Sequence, residues 1–208
     1  DTVFVRNIKY IIDNLGNKGN RPSGSIYLDT HGQQTGLFIE NKTGIEGDLI
    51  AISVYLAEEG NLTAPFRLRI YSVDSLNRIP VDDIVEDILI VKPEGEKGWF
   101  DIDVSQYKLT FPENGVFIGV EGIFPNEYEY YAESNEFIDI KNKTLESPIN
   151  SHESLSYGQQ IGYNRRFSDK TWHYSLSHTW FQLRKQQSGV MIKASVKYEK
   201  QKRIKKKK

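Results

Sequence analysis

The clearest pattern in the chain is Phe66-Arg67-Leu68-Arg69-Ile70-Tyr71, in which apolar side chains alternate with arginines. Successive side chains of a β-strand point to opposite faces of the sheet, so this alternation predicts a strand with one buried and one solvent-facing side. We expect the apolar side chains of this stretch in the core and both arginines outside.

The same period of two recurs on both sides of this stretch, in residues 48–58, 99–104, 116–121 and 190–198. Turn formers such as Pro112-Glu113-Asn114-Gly115 separate the alternating segments. Many short strands separated by turns predict an all-β fold, a two-sheet antiparallel β-sandwich of jelly-roll-like topology. The side chains expected to be buried are Ile50, Ile52, Val54, Leu56, Phe66, Leu68, Ile70, Ile102, Val104, Ile118, Val120, Ile192 and Val196.

Two segments depart from the strand pattern. Pro80 followed by Asp82 and Asp83 is typical of the first turn of a helix, so residues 80–85 are predicted to form a single helical turn. Residues 141–163 are rich in Asn, Ser and Gly and are predicted to form a long surface loop.

The composition indicates one globular domain without disulfide bonds. The chain has 208 residues, 38% of them hydrophobic, no cysteine and a net charge of −1. We predict a single domain over residues 1–199 and a basic, disordered tail over residues 200–208. The near-neutral charge argues against a nucleic-acid partner. No apolar run approaches the roughly 20 residues of a membrane span, so none is predicted.

Two longer stretches carry a resemblance to a known kind of module. They are residues 65–84, from Pro65 to Ile84, and residues 98–121, which include Gly98-Trp99-Phe100-Asp101-Ile102-Asp103-Val104 and Phe111-Pro112-Glu113-Asn114-Gly115. Together they resemble a β-sandwich module of Bacteroidetes cell-envelope proteins, often found behind a carboxypeptidase-like regulatory domain. The resemblance covers roughly residues 48–123. It implies a jelly-roll-like fold, an envelope or secreted location and no catalysis, and it supplies no catalytic residues.

Carboxylates offer the main alternative, a glycoside-active enzyme. Asp101 and Asp103 share the outward face of one predicted strand, and Glu121 ends another. Glycoside hydrolysis uses two carboxyl groups that flank the scissile bond. Any solvated strand with this alternation produces the same spacing, however, so we predict no catalytic residues.

Metal sites are not indicated by the remaining polar residues. Of the histidines His31, His152, His173 and His178, the last two are five residues apart, which places them on opposite faces of a continuous strand. The acidic group Asp74, Asp82, Asp83 and Glu86 suggests calcium. It lacks EF-hand spacing and is interpreted as a solvated turn, so neither a metal nor another cofactor is predicted.

Aromatic residues indicate a binding function. Tyr128, Tyr130 and Tyr131 follow a buried strand among carboxylates, where rings can stack on sugars while hydroxyls form hydrogen bonds. We predict them, with Arg165 and Arg166, as the ligand-binding set, and interpret Trp172, Trp180 and Phe181 as core residues. The favoured hypothesis is a non-catalytic envelope module that binds glycan or another envelope protein; a purely structural spacer is the further alternative.

Overall fold

The structure, a computed structural model, describes residues 9–28, 32–76, 78–85, 87–123, 129–133, 153–167, 170–175, 177–182 and 189–200, with the backbone alone at 129–133 and 153–157. These residues form strands and one 3-10 turn, Ser105–Tyr107. Within them no helix has the length and apolarity to cross a membrane. The strands are β1 (Tyr10–Gly16), β2 (Gly24–Tyr27), β3 (Gln34–Ile39), β4 (Gly47–Leu56), β5 (Phe66–Val73), β6 (Pro80–Asp83), β7 (Leu89–Val91), β8 (Gly98–Asp103), β9 (Thr110–Phe111), β10 (Val116–Gly122), β11 (Glu129–Glu133), β12 (Glu153–Tyr157), β13 (Gln160–Asn164), β14 (Thr171–Tyr174), β15 (Trp180–Phe181), β16 (Gly189–Val190) and β17 (Ile192–Glu199).

Two antiparallel sheets make up the body of the fold. The first sheet has the order β1-β17-β4-β13-β16, with β2 on β13 and with β8 and β9 on β4. The second sheet has the order β15-β14-β3-β10-β5-β6, with β7 also on β5, and β11 pairs with β12 alone. The predicted all-β sandwich is therefore confirmed.

The core lies between the two sheets and is built from the alternating positions that the sequence singled out. Ten of the expected side chains are 0–2% exposed: Ile52, Val54, Phe66, Leu68, Ile70, Val104, Ile118, Val120, Ile192 and Val196. Leu56 is fully buried as well, whereas Ile102 is half-buried and packs against the core.

A β-bulge corrects the predicted face of β4. Val196 of β17 lies opposite Leu49, while Ser195 lies opposite Ala51, so Ile50 is an extra residue on the β4 side. A bulge inserts one residue into a strand and shifts the alternation beyond it. Leu49 is 1% exposed and takes the core position, and the expectation that Ile50 is buried was wrong.

The two segments predicted to be irregular contain strands instead. Pro80–Asp83 is β6, an edge strand that pairs with β5, and not a helical turn. Proline is tolerated as the first residue of a strand at a sheet edge, where its missing N–H leaves no ladder bond unmade. Residues 153–157 and 160–164, inside the predicted long loop, form β12 and β13.

Candidate functional site

The outward surface of the second sheet, called here the outer face, carries three rows of side chains that cross the strands. Their order follows from the register of β14, β3, β10 and β5, whose outward positions are aligned. The first row is Phe38, Phe117 and Tyr71; the second is Trp172, Gly36, Gly119 and Arg69; the third is Tyr174, Gln34, Glu121 and Arg67. Trp180 of β15 and Ile90 of β7 extend the third row at its two ends.

Aromatic rings form a second apolar layer on the outer face. The ring of Trp180 lies 5.0 Å from that of Phe117, 5.7 Å from that of Tyr71 and 5.0 Å from that of Tyr174, between centroids. Phe117 is fully buried beneath it, in a cluster that Phe38, Val73 and Trp172 complete. Gly36 makes this packing possible, because a Cβ there would lie 2.4 Å from the Phe117 ring.

The position of these rings corrects the interpretation of Trp172, Trp180 and Phe181 as core residues. Trp172 and Trp180 are half-buried and lie outside the core between the sheets, and Phe181 is 39% exposed. Trp172, Tyr174 and Trp180 therefore keep part of their ring surface in contact with solvent. The sequence contains a signal for this layer. Phe117 is apolar, yet it points to the other face of β10 from Val116 and Ile118.

Arg69 is held between two carboxylates in the middle of the outer face. Its Nε donates to Glu121 Oε2 at 2.5 Å, and its Nη1 donates to Asp83 Oδ2 at 2.7 Å. Burial lowers the pKa of the guanidinium, but the hydrogen bonds that it donates to Glu121 and Asp83 outweigh burial and raise the pKa. Arg69 therefore stays positively charged and is held in one position. Glu121 and Asp83 each accept one of its hydrogen bonds.

Gln34 and Tyr71 form a second fixed polar pair across the β3, β10 and β5 strands. The Tyr71 hydroxyl donates to Gln34 Oε1 at 2.7 Å, and both side chains lie beside Gly119, where a Cβ would meet Gln34 Oε1 at 3.5 Å, an ordinary contact distance. Burial raises the pKa of Tyr71, so the hydroxyl remains protonated at neutral pH. Within the described part of the chain the Gln34 side-chain nitrogen has no partner, which leaves an amide donor on the face.

Arg67 is a second arginine of the outer face. It lies directly opposite Glu121 in the β5–β10 ladder and is half-buried. Glu121 binds Arg69 instead, and among the described residues Arg67 forms no ion pair. A guanidinium without an ion pair among the described residues therefore lies beside the Glu121–Arg69–Asp83 group.

The carboxylates proposed for glycoside hydrolysis are not brought together. Asp101 and Asp103 lie on β8, opposite Ser53 and Ala51, and point outward from the first sheet. Glu121 points outward from the second sheet, and stacked sheets lie about 10 Å apart, so the whole core separates it from Asp101 and Asp103. Hydrogen bonds from the Ser105 hydroxyl and from the Ser105 N–H, the latter at 2.8 Å, lower the pKa of Asp103 and fix a turn.

The proposed metal ligands are also dispersed. Asp83 belongs to the Arg69 group, Asp74 accepts the Leu76 N–H at 2.8 Å, and Glu86 lies outside the described residues. His173 is 6% exposed and lies opposite Thr35 on the inward side of the second sheet. Over the described ranges no group of three or more His, Asp or Glu side chains is arranged to hold a metal.

The predicted ligand-binding set is only partly placed. Tyr128 lies outside the described residues, and Tyr130 and Tyr131 belong to β11, of which the backbone is described. Arg165 and Arg166 are exposed and directly follow β13, a strand of the first sheet. They are therefore not part of the outer face, and this set stays a prediction.

No match to this chain was found among protein-family models, curated proteins or solved structures.

Proposed function

We propose that this chain is a non-catalytic, carbohydrate-binding module of an envelope or secreted protein, with its binding site on the outer face of the second sheet. The single observation that carries the proposal is the group of half-buried rings, Trp172, Tyr174 and Trp180, beside polar side chains held in fixed positions. The resemblance of residues 48–123 to envelope modules supports the location.

The chemistry of the outer face suits a sugar chain. Amphipathic rings can cover the apolar face of a pyranose, while neighbouring donors and acceptors bind its hydroxyls. Arg69 and Gln34 are already held by protein partners, so binding would cost little further ordering of these side chains. Arg67 and the Gln34 amide supply the donors that remain available.

The arrangement of carboxylates argues for binding rather than catalysis. The two carboxylates beside Arg69, those of Glu121 and Asp83, bind the same guanidinium. A glycosidase needs one carboxyl group as a proton donor and a second as nucleophile or base. Two carboxylates that share one arginine serve instead as fixed acceptors for hydroxyl groups.

A glycan array followed by calorimetry tests this proposal. We expect the wild-type chain to bind a glycan with a Kd in the range of about 1 μM to 1 mM. Replacing a stacked ring removes roughly 0.5–1.5 kcal/mol beyond area burial, so Trp172→Ala and Tyr174→Ala should each weaken binding about tenfold. Trp99→Ala is the matched control, because Trp99 packs against Tyr55 on the opposite surface, outward from the first sheet.

Other outcomes would relocate the site or remove it. If binding survives Trp172→Ala and Tyr174→Ala but is lost when Tyr128, Tyr130 and Tyr131 are replaced by alanine, the binding site lies in the tyrosine segment. Equal losses for Trp99→Ala and Trp172→Ala would indicate nonspecific stacking. Absence of binding to any glycan would leave the structural spacer as the better explanation.

A further inference from the structure

The edge strand β1 presents apolar side chains to solvent. Tyr10, Ile11 and Ile12 are 50%, 46% and 62% exposed. β1 pairs with β17 on one side, and no other described strand pairs with its opposite edge. Exposed apolar edge strands are templates for pairing with another chain, and proteins usually protect them with charges, prolines or bulges.

The hydrogen-bond pattern shows which backbone groups of β1 face outward. Lys200 N–H donates to Lys9 C=O and Asn17 N–H donates to Ile192 C=O, so the odd-numbered residues of β1 direct their backbone groups at β17. Hydrogen-bonded and non-hydrogen-bonded positions alternate along an antiparallel pair. The N–H and C=O groups of Tyr10, Ile12 and Asn14 therefore point away from the sheet.

The sequence around this edge is complementary to itself when it is read in the opposite direction. In an antiparallel pair of two β1 strands related by a two-fold axis at Ile11, Lys9 lies opposite Asp13, and Tyr10 lies opposite Ile12. Tyr10 and Ile12 then occupy hydrogen-bonded positions, as their outward backbone groups require. Ile11 faces its own copy, and Lys9 faces Asp13, at the non-hydrogen-bonded positions, where side chains approach most closely.

We propose that this chain forms a symmetric dimer in which β1 pairs with β1 of a second copy and continues the first sheet across the two-fold axis. Moving the axis by one residue, to Ile12, would place Lys9 opposite Leu15 and Asp13 opposite Ile11 and lose both charge pairs. An axis between two residues would place outward backbone groups against inward ones. Self-complementarity is the property that a two-fold interface requires, and Lys9 and Asp13 are both exposed and form no ion pair within the described chain.

Charge exchange at Lys9 and Asp13 tests the register. Sedimentation of the full chain over a range of concentrations should show a monomer–dimer equilibrium. Lys9→Asp and Asp13→Lys each create two like-charge contacts per dimer and should weaken the dimer about tenfold. The double variant Lys9→Asp/Asp13→Lys should restore it. A chain that stays monomeric at all concentrations, or a dimer that both single variants leave unchanged, overturns the proposal.

A second variant tests the backbone pairing. Ile12→Pro removes an N–H that points outward, so the fold should survive with an unchanged circular dichroism spectrum while the dimer is lost. Hydrogen exchange provides a measurement without substitution: the amides of Tyr10 and Ile12 should exchange more slowly as concentration rises, and that of Ile11 should not change. Concentration-independent exchange at Tyr10 and Ile12 would contradict β1 pairing even if a dimer forms elsewhere.

Discussion

At the scale of single residues, His173 shows how one buried side chain can make the stability of the fold depend on pH. Its imidazole is 6% exposed, contacts the Phe181 ring at 5.7 Å between centroids, and forms no hydrogen bond within the described chain. Burial lowers the pKa of His173 from 6.5 to about 4. A buried imidazole of this kind is stable only in its neutral form.

This lowered pKa predicts that the protein loses stability in mild acid. Between about pH 6.5 and pH 4 the unfolded chain binds a proton at His173 that the folded chain does not, so stability falls as pH falls through that window. The full difference corresponds to about 3 kcal/mol. Urea unfolding at several pH values should show the slope for the wild type and lose it in His173→Gln.

The control for this measurement is His178→Asn, since His178 is exposed and lies in the turn after β14. That variant should keep the pH dependence of the wild type. If His173→Gln leaves the slope between pH 4 and 6.5 unchanged, the acid sensitivity comes from carboxylates and not from the buried imidazole.

At the scale of the strand, β4 shows what alternation can and cannot predict. The period of two correctly identified Ile52, Val54 and Leu56 as buried. It failed at Ile50, because the bulge opposite Ser195 and Val196 depends on pairing with β17, which lies far away in the sequence. Period and composition specify a strand locally, whereas a bulge is a property of two strands.

The bulge makes a prediction about two neighbouring residues of β4. Leu49→Ala should lower the free energy of unfolding by about 2–5 kcal/mol, because Leu49 is 1% exposed in the core. Ile50→Ala should cost well under half as much, since that side chain is only half-buried and lies outside the core. Denaturant titration measures both, and a larger loss for Ile50→Ala would place the bulge at another position.

β6 illustrates how pairing overrides a local signal. Proline followed by acidic residues is a common start of a helix, and residues 80–85 have that pattern. Asp83 nevertheless lies opposite Tyr71 in the second sheet and binds Arg69. The ladder with β5 and this ion pair outweigh the intrinsic preference of a short segment, and neither was visible from residues 80–85 alone.

At the scale of the whole molecule, the composition of the outer face could not be predicted from the sequence. Its residues come from β3, β5, β6, β7, β10, β14 and β15, and only the strand order places them side by side. The sequence supported the fold because each strand carries its own alternation. A face is assembled across strands, so the alternation within single strands could not show that Trp172 and Trp180 lie on the outer face and not in the core.

The strand order also predicts how the fold responds to truncation. β17 pairs with both β1 and β4 and supplies Ile192, Ala194 and Val196 to the core. Deleting residues 189–200 should therefore abolish cooperative thermal unfolding. Deleting residues 1–14 removes the first five residues of β1, which are all exposed, and should leave a folded protein with a lower melting temperature. A folded protein without residues 189–200 would contradict the role of β17 in the core.

The pairing of β1 with β17 has a mechanical consequence. Tyr10 lies opposite Glu199, so the first and last described strands meet at the same end of one antiparallel pair. Tension applied through the two ends of the domain would load that end first, and the hydrogen bonds between β1 and β17 would open one after another instead of sharing the force. Because β1 buries little, it should peel away at low force while the remaining strands stay folded. Stretched in series with other domains, this one is expected to yield early and to lengthen in small steps.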